Sequence, residues 1–406
     1  MLSLLIVKNL RGNIMLEKLV IKNFKTFKNE TTIDLTKTNY TILPQNISEN
    51  GVLKGTVIIG PNASGKSSVL EAIKILLDFL FKERPVDSGL FKCLFSNDSN
   101  FSLKYYFRIN NQKIIYYICF DVSKKHIIEK LSVDNDENII VERNGIQAVS
   151  RIVDKNGISY GKDSIDNETL FLRTLYFNTK FAGNETLKQW MDFLQSSVYI
   201  DAVSNAISYY GKESVKLSEY LKNNGTDVIN EFFNKMNFKY HIEYSNISKG
   251  NINLFKYSEN SDDKVVFFKR NEIEEPIPFV YESMGNKNLL KLLPAYLHII
   301  NGKGMLLIDE FSSGFHPLLE KTLLKYFMKN AYESQFIFVS HSVSLVSNSI
   351  MRPDQVYAVE FEGKSGSKVI RFSDFQPRTA QNVEKMYLAG IFGALPEYEV
   401  IANDAE

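Results

Sequence analysis

The sequence is poor in the residues that build covalent or metal frameworks. Cys93 and Cys119 are the only cysteines in 406 residues, which excludes a disulfide scaffold and any Cys-rich zinc spacing. Both sit in apolar, strand-like stretches and read as buried thiols of a chain in a reducing, cytoplasmic compartment. Charge of one sign is lacking too: 48 Lys and Arg face 47 Asp and Glu. No global field therefore draws the chain to nucleic acid or to an anionic membrane, and nucleic-acid binding would need a local patch. The run Lys18, Lys22, Lys25 and Lys28 is modest and reads as a solvated edge. No apolar stretch reaches the roughly 18 residues of a membrane span. The opening MLSLLIVKN lacks the basic start and cleavage site of a signal peptide. Internal repeats, low-complexity tracts and sustained heptads are missing, so long coiled-coil arms are not expected.

What is present is an ordinary globular composition, 44% hydrophobic and 23% charged, on a chain long enough for two domains. The fold is expected to begin near Met15, leaving residues 1–14 as an N-terminal tail. Two antiparallel strands are expected between Leu16 and Leu35, then a short buried strand at Val57–Ile59 and a helix from Ser67 to Leu80. A hairpin turns at Asn110-Asn111. Residues 15–132 thus read as a first lobe containing an antiparallel β subdomain. From 133 to 275 polar residues interrupt often and helices are short, as in the stripe Leu187, Trp190, Met191, Leu194; this segment reads as a mainly helical α+β insertion. Order returns over 276–406, with a helix from Leu289 to Ile300, buried strands at Met305–Ile308 and Phe336–Val339, and a closing hairpin. Strands alternating with helices predict an α/β core with a mainly parallel sheet.

Gly60-Pro61-Asn62-Ala63-Ser64-Gly65-Lys66-Ser67 fits G-x-x-x-x-G-K-[ST] between a strand and a helix. Glycines let backbone amides surround phosphate oxygens, and the helix that follows points its positive end at them. Lys66 is expected to reach the β- and γ-phosphates and Ser67 to ligate Mg²⁺, with Gly60, Asn62, Ser64, Gly65 and Ser68 completing the cradle. Met305-Leu306-Leu307-Ile308-Asp309-Glu310 is an apolar strand ending in two carboxylates. Alone it is equally a buried strand with an acidic tip. About 240 residues after a P-loop, it reads as a Mg²⁺-holding Asp309 and a general base, Glu310. That separation excludes compact small GTPases. Ser283-Met284-Gly285 opens the Leu289 helix; Ser283 serves there as an N-cap, or as a contact for a γ-phosphate. His341, at the tip of the Phe336 strand, reads as a γ-phosphate sensor, whereas His126, His241, His298 and His316 read as surface histidines.

The order P-loop, Ser-x-Gly, Asp-Glu strand, His resembles the heads of ABC ATPases, including the SMC and RecF relatives. Phe311–Pro317 resembles their D-loop. Leu19-Val20-Ile21-Lys22-Asn23-Phe24, Arg352-Pro353-Asp354-Gln355-Val356-Tyr357 and Tyr387–Pro396 narrow the resemblance to stand-alone AAA15-type ATPases. Those include the ATPase halves of the AbiL and RloA kinds of abortive-infection system. The likeness covers roughly 15–130 and 276–398. It implies an ABC-type P-loop head that binds and hydrolyses Mg-ATP as a homodimer or higher even oligomer, with Ser283 and Gly285 of one copy contacting the nucleotide on the other. It also implies a second, nuclease-like effector protein encoded nearby.

The chain departs from that pattern in two places. No glutamine lies between Lys66 and Gln112, so the Q-loop residue is missing or not recognisable: either Asn97 or Asp98 stands in, or coupling to Mg²⁺ is weaker; Asn286 follows the signature where a Thr is usual. The leading expectation is an ATPase regulating a toxic effector in anti-phage defence. A RecF- or SMC-like DNA-repair machine is the alternative, weakened by the balanced charge. A nuclease like the OLD enzymes is disfavoured because some ten residues follow Pro396, too few for an added domain. A transporter ATPase fits the signature poorly.

Overall fold

The computed structural model describes residues 14–82, 88–153, 159–162, 164–212, 214–246 and 264–395; the expected tail up to residue 13, and Pro396, lie outside them. β1 (Ile14–Lys22) pairs antiparallel with β2 (Thr31–Asp34). β3 (Gly55–Ile59) is buried along its whole length and leads through the Gly60 loop into α1 (Lys66–Phe81). β4 (Asn100–Ile109) alternates strictly between buried and more exposed positions, as a strand with one face on a core must. It returns through Asn110, held at φ 51°, into β5 (Gln112–Asp121). β6 (His126–Val133), β7 (Ile139–Asn144), β8 (Gln147–Val153) and β9 (Ser159–Lys162) continue the meander. Together they form an antiparallel sheet in the order β2-β1-β4-β5-β6-β7-β8-β9.

Two helices follow, α2 (Phe171–Thr179) and α3 (Glu185–Gln195), and the stripe Leu187, Trp190, Met191, Leu194 of α3 is buried as its spacing requires. Next come β10 (Val198–Asp201), β11 (Ala206–Tyr209), α4 (Leu217–Asn224), α5 (Asp227–Lys235), β12 (Tyr240–Asn246), β13 (Lys264–Arg270) and β14 (Ile277–Pro278). The chain closes with α6 (Met284–Asn301), β15 (Lys303–Asp309), α7 (Pro317–Asn330), β16 (Glu333–Val339), β17 (Val356–Phe361), β18 (Ser367–Arg371) and α8 (Val383–Leu388).

The second sheet runs β11-β10-β15-β16-β3-β17-β18, parallel throughout except at its two edges. It is covered on both faces. Met305 and Leu307 of β15 enter the core shared with α1 and the antiparallel sheet. Leu306 and Ile308 enter the core shared with α6 and α7. This is the expected α/β head, with its mainly parallel sheet and antiparallel β subdomain.

The segment 133–275 corrects the expectation of a mainly helical insertion. β7 to β9 lengthen the antiparallel sheet, and β10 enters the parallel sheet beside β15. Only β12 to β14 form a sheet of their own, with α4 and α5 near them. Four-residue strands such as Val198–Asp201 are too short to display a period, so the helical stripes dominate the sequence pattern of this segment. Cys119 is in β5, but Cys93, also buried, lies outside any strand.

Two buried charge pairs hold these parts. Glu129 and Arg143 are fully buried; Glu129 accepts from Tyr116 and from the first amides of α2, Phe171 and Leu172. Arg352 pairs with Asp354, which accepts from Thr38, while Gln355 joins Asn46 and the Gly55 carbonyl. The Arg-Pro-Asp-Gln motif is thus a clamp between residues 36–55 and the end of the sheet.

Candidate functional site

The loop before α1 is shaped by positions where no side chain fits. Gly60 has φ 139° and a Cβ there would strike the Val359 carbonyl; Gly65 has φ 105° and a Cβ would strike Thr26 and Ser367. Such backbone is glycine territory. Ser367 Oγ donates to the Ser64 carbonyl at 2.6 Å, bracing the loop from β18. The Ser64 and Thr26 hydroxyls are buried beside it and have no hydrogen-bond partner among the described residues. Hydroxyls so placed, around a glycine loop capping a 16-residue helix, suit a phosphate ligand.

Lys66, itself buried, donates from Nζ to the Pro61 carbonyl at 2.8 Å. Burial pulls its ammonium below the usual lysine range, while Glu310 and Asp309 pull it back up. Ser67 Oγ donates to Asp309 Oδ1 at 3.1 Å, joining two residues 242 positions apart. Asp309 is raised above the ordinary carboxylate range by burial; its Ser67 bond opposes this, and Glu310, Asp201 and Glu71 reinforce it. A hydroxyl–carboxylate pair beneath a lysine, in surplus negative charge, is a donor set that fits Mg²⁺. Among the described residues no group of three or more His, Cys, Asp or Glu offers a stand-alone metal cage.

Glu310 takes φ 59°, a left-handed conformation uncommon for a glutamate. It brings Oε1 to 3.1 Å from His341 Nε2. A serine relay fixes the histidine: His341 N–H donates to Ser312 Oγ at 3.2 Å, and Ser312 and Ser340 hydroxyls share a bond of 2.6 Å. The other histidines do structural work: His126 meets Asn144, His298 meets Tyr209, His241 lies 4.0 Å from Glu243, and His316 Nδ1 caps α7 through the Leu318 amide.

Ser283 is the N-cap of α6, its Oγ accepting from the Asn286 amide at 3.3 Å. Among the described residues no hydrogen bond joins it or Gly285 to Lys66, Ser67 or Asp309. Instead Gly285 lies against the D-loop: a Cβ there would sit 2.9 Å from the Gly314 carbonyl oxygen. Tyr281 and Met284, beside Ser283, are 70% and 66% exposed. Glu282 beneath them is buried, pairing with Arg270 at 2.7 Å and accepting from the Ser283 amide at 2.8 Å. Burial pushes Glu282 up, yet those bonds together hold it below the usual range. Asn97 and Asp98 precede β4; Asp98 accepts through its backbone from Asn23, and among the described residues no hydrogen bond ties either to Ser67 or Asp309.

Asp201, Thr26, Ser367 and Arg270 were not expected at the site. Asp201 had a readable signal, since Val198–Asp201 is an apolar run ending in an acid, as is Met305–Asp309. The others come from distant segments and carry none.

Comparison with known proteins bears on this arrangement. Residues 56–347, well over half of the chain, match the sequence profile described as "AAA domain, putative AbiEii toxin, Type IV TA system". The chain belongs to this AAA-domain family. No curated protein matches it. Among solved structures, this AAA-domain chain is similar to an SMC head domain bound to the C-terminal domain of ScpA, from Pyrococcus furiosus, at 14% identity and TM-score 0.51, covering 93% of this chain and 98% of that one. An SMC head bound to the C-winged helix domain of ScpA gives 15% and 0.49, covering 87% and 96%. The SMC head domain of Thermotoga maritima gives 14% and 0.45, covering 88% and 98%. The first of these shows the fold alone: the AAA-domain chain has the α/β fold of an SMC head.

Proposed function

We propose that the chain hydrolyses Mg-ATP at sites shared between two copies of itself and thereby regulates a separate effector in anti-phage defence, as in the AAA15-type AbiL and RloA systems it resembles. The observation that carries the shared site is the division of labour within one chain. Lys66, Ser67, Asp309, Glu310 and His341 converge, whereas Ser283 and Gly285 open an exposed helix end flanked by Tyr281 and Met284. A helix start with exposed apolar neighbours suits a second copy's γ-phosphate.

In this reading Gly60 to Ser68 hold the phosphates through backbone amides and Lys66. Ser67 and Asp309 hold Mg²⁺, which would neutralise phosphate charge during transfer. Glu310 accepts the proton of the attacking water, and His341, held by Ser312 and Ser340, orients its carboxylate. The defence role draws support from the family description and from the motif resemblance.

The test is Glu310→Gln, purified with ATP from cells carrying its neighbouring genes. We expect an ATP-dependent dimer by light scattering and a stoichiometric partner protein. A monomer in saturating Mg-ATP refutes the shared site. Co-purifying DNA without a protein partner refutes the effector role in favour of DNA repair.

A further inference from the structure

On the face of the parallel sheet opposite α1, a cavity of about 660 Å³ opens between β10, α4, β13, α6 and the loop after β15. Its floor and walls are apolar: Ile200, Ile308, Leu221, Val266, Leu292 and Phe311. Among the described residues every charged side chain lining it is a lysine, namely Lys216, Lys264, Lys287 and Lys291. The chain has acids and bases in near-equal number, so four cations and, among the described residues, no carboxylate around one cavity make a local field of one sign. Lys287 and Lys291 stand one helical turn apart on α6 and share a face. Lys287 Nζ donates to the Val280 carbonyl at 2.7 Å, which fixes one charge in place.

We infer that this cavity binds an amphipathic small anion, an apolar chain or ring system of drug-like size bearing one carboxylate or phosphate. The volume is within the range of ligand pockets, roughly 300–1,000 Å³. Apolar walls exclude a nucleotide triphosphate, whose charges would be desolvated without partners. A neutral lipid would leave the lysines unused. The cavity also touches the nucleotide machinery from behind: Ile308 precedes Asp309, Phe311 follows Glu310, and α6 carries Ser283 at its start. An occupant pressing on those residues would change ATP affinity, and ATP would change its affinity by the same factor. This inference is independent of the defence role.

Isothermal titration of the full chain with dodecanoate, dodecyl phosphate and dodecanol tests it. We expect one saturable site per chain for the anions, at least about 10-fold weaker for dodecanol and weaker in high salt. The preferred anion identifies the head group. The double variant Lys264→Glu, Lys291→Glu should lose about 10-fold or more in anion affinity while melting like the parent. If that variant misfolds, Val266→Trp, which fills the cavity, should abolish binding. The absence of saturable anion binding, equal binding of dodecanol, or anion binding unchanged in a folded variant would each overturn the inference.

Discussion

The contact between Gly285 and Gly314 gives a test of how the signature helix is tied to the catalytic loop. Gly285→Ala adds one methyl group whose carbon would sit 2.9 Å from the Gly314 carbonyl oxygen. Ordinary C···O contacts lie near 3.3–3.6 Å, so the two backbones must part by about 0.5 Å. The loop has little room to retreat. Gly314 is itself at φ 80°, with its own missing Cβ 2.8 Å from Asn288 Nδ2, and Asn288 donates to the Ser313 carbonyl at 3.3 Å. Movement there passes to Ser312, and through the Ser312–Ser340 bond to His341 and Glu310. Overpacking costs roughly 1–3 kcal/mol, against which alanine in a helix gains about 1 kcal/mol over glycine. The melting temperature should therefore move by only a few degrees. A misplacement of this order costs catalysis far more, about 10- to 100-fold in kcat. Nucleotide affinity of the isolated chain should hold within about threefold, because the P-loop contacts lie elsewhere. Steady-state hydrolysis, fluorescent-nucleotide binding and a thermal melt read the three quantities. A kcat within twofold of the parent, with an unchanged melt, would refute the coupling.

Other expectations follow from the same geometry. Lys66→Ala should lower nucleotide affinity by about 100-fold or more, the loss of a charge-assisted phosphate contact; unchanged affinity in equilibrium binding would remove the P-loop assignment. Asp309→Asn should melt higher than the parent without nucleotide, by about 1 kcal/mol at pH 7, as relief of a strained functional charge typically gives. The sign follows from Asp309's raised pKa: its ionised form burdens the folded state fully above that pKa, and the burden fades as pH falls toward the ordinary carboxylate value. The gain should thus shrink toward pH 4 in melts run across pH. Glu129→Gln should destabilise by about 3 kcal/mol, the lower end for a broken buried pair, because Arg143 keeps the Gly145, Asp166 and Thr169 carbonyls; urea denaturation measures it.

Legibility in the sequence followed the range over which each feature is determined. The P-loop, the Ser283 cap and the Asp309–Glu310 tip are chemistry written in consecutive residues, and the Ser67–Asp309 pair joins the first to the last, while Glu310 meets His341. The alternation in β4 and the stripe in α3 are local periods and were equally plain. β10 was not: four residues show no period, and its place beside β15 is decided by a tertiary partner more than a hundred positions away. The Glu129–Arg143 pair carries no sequence signal, since burial of an ion pair depends on what later packs over it. The Arg352-Pro-Asp-Gln stretch was visible only as a motif, and its physical meaning required Thr38, Asn46 and Gly55 to be in place.

The placement of β10 changes what the middle of the chain can do. Val198–Asp201 runs in register with Leu306–Asp309, and the Ala202 amide donates to the Asp309 carbonyl at 3.1 Å. A freely attached accessory domain could move without touching the site; this segment supplies the strand beside Asp309. The three-stranded sheet grips the other half of the proposed composite site. Arg270 of β13 pairs with Glu282, and Tyr240 of β12 donates to Asn286 at 3.1 Å, one contact on either side of the Ser283–Gly285 helix start. The middle segment thus holds both Asp309 and Ser283, one residue from each half of the proposed composite site. Anything that shifts it must shift both halves together, so this is where a regulatory partner would gain most leverage over ATP.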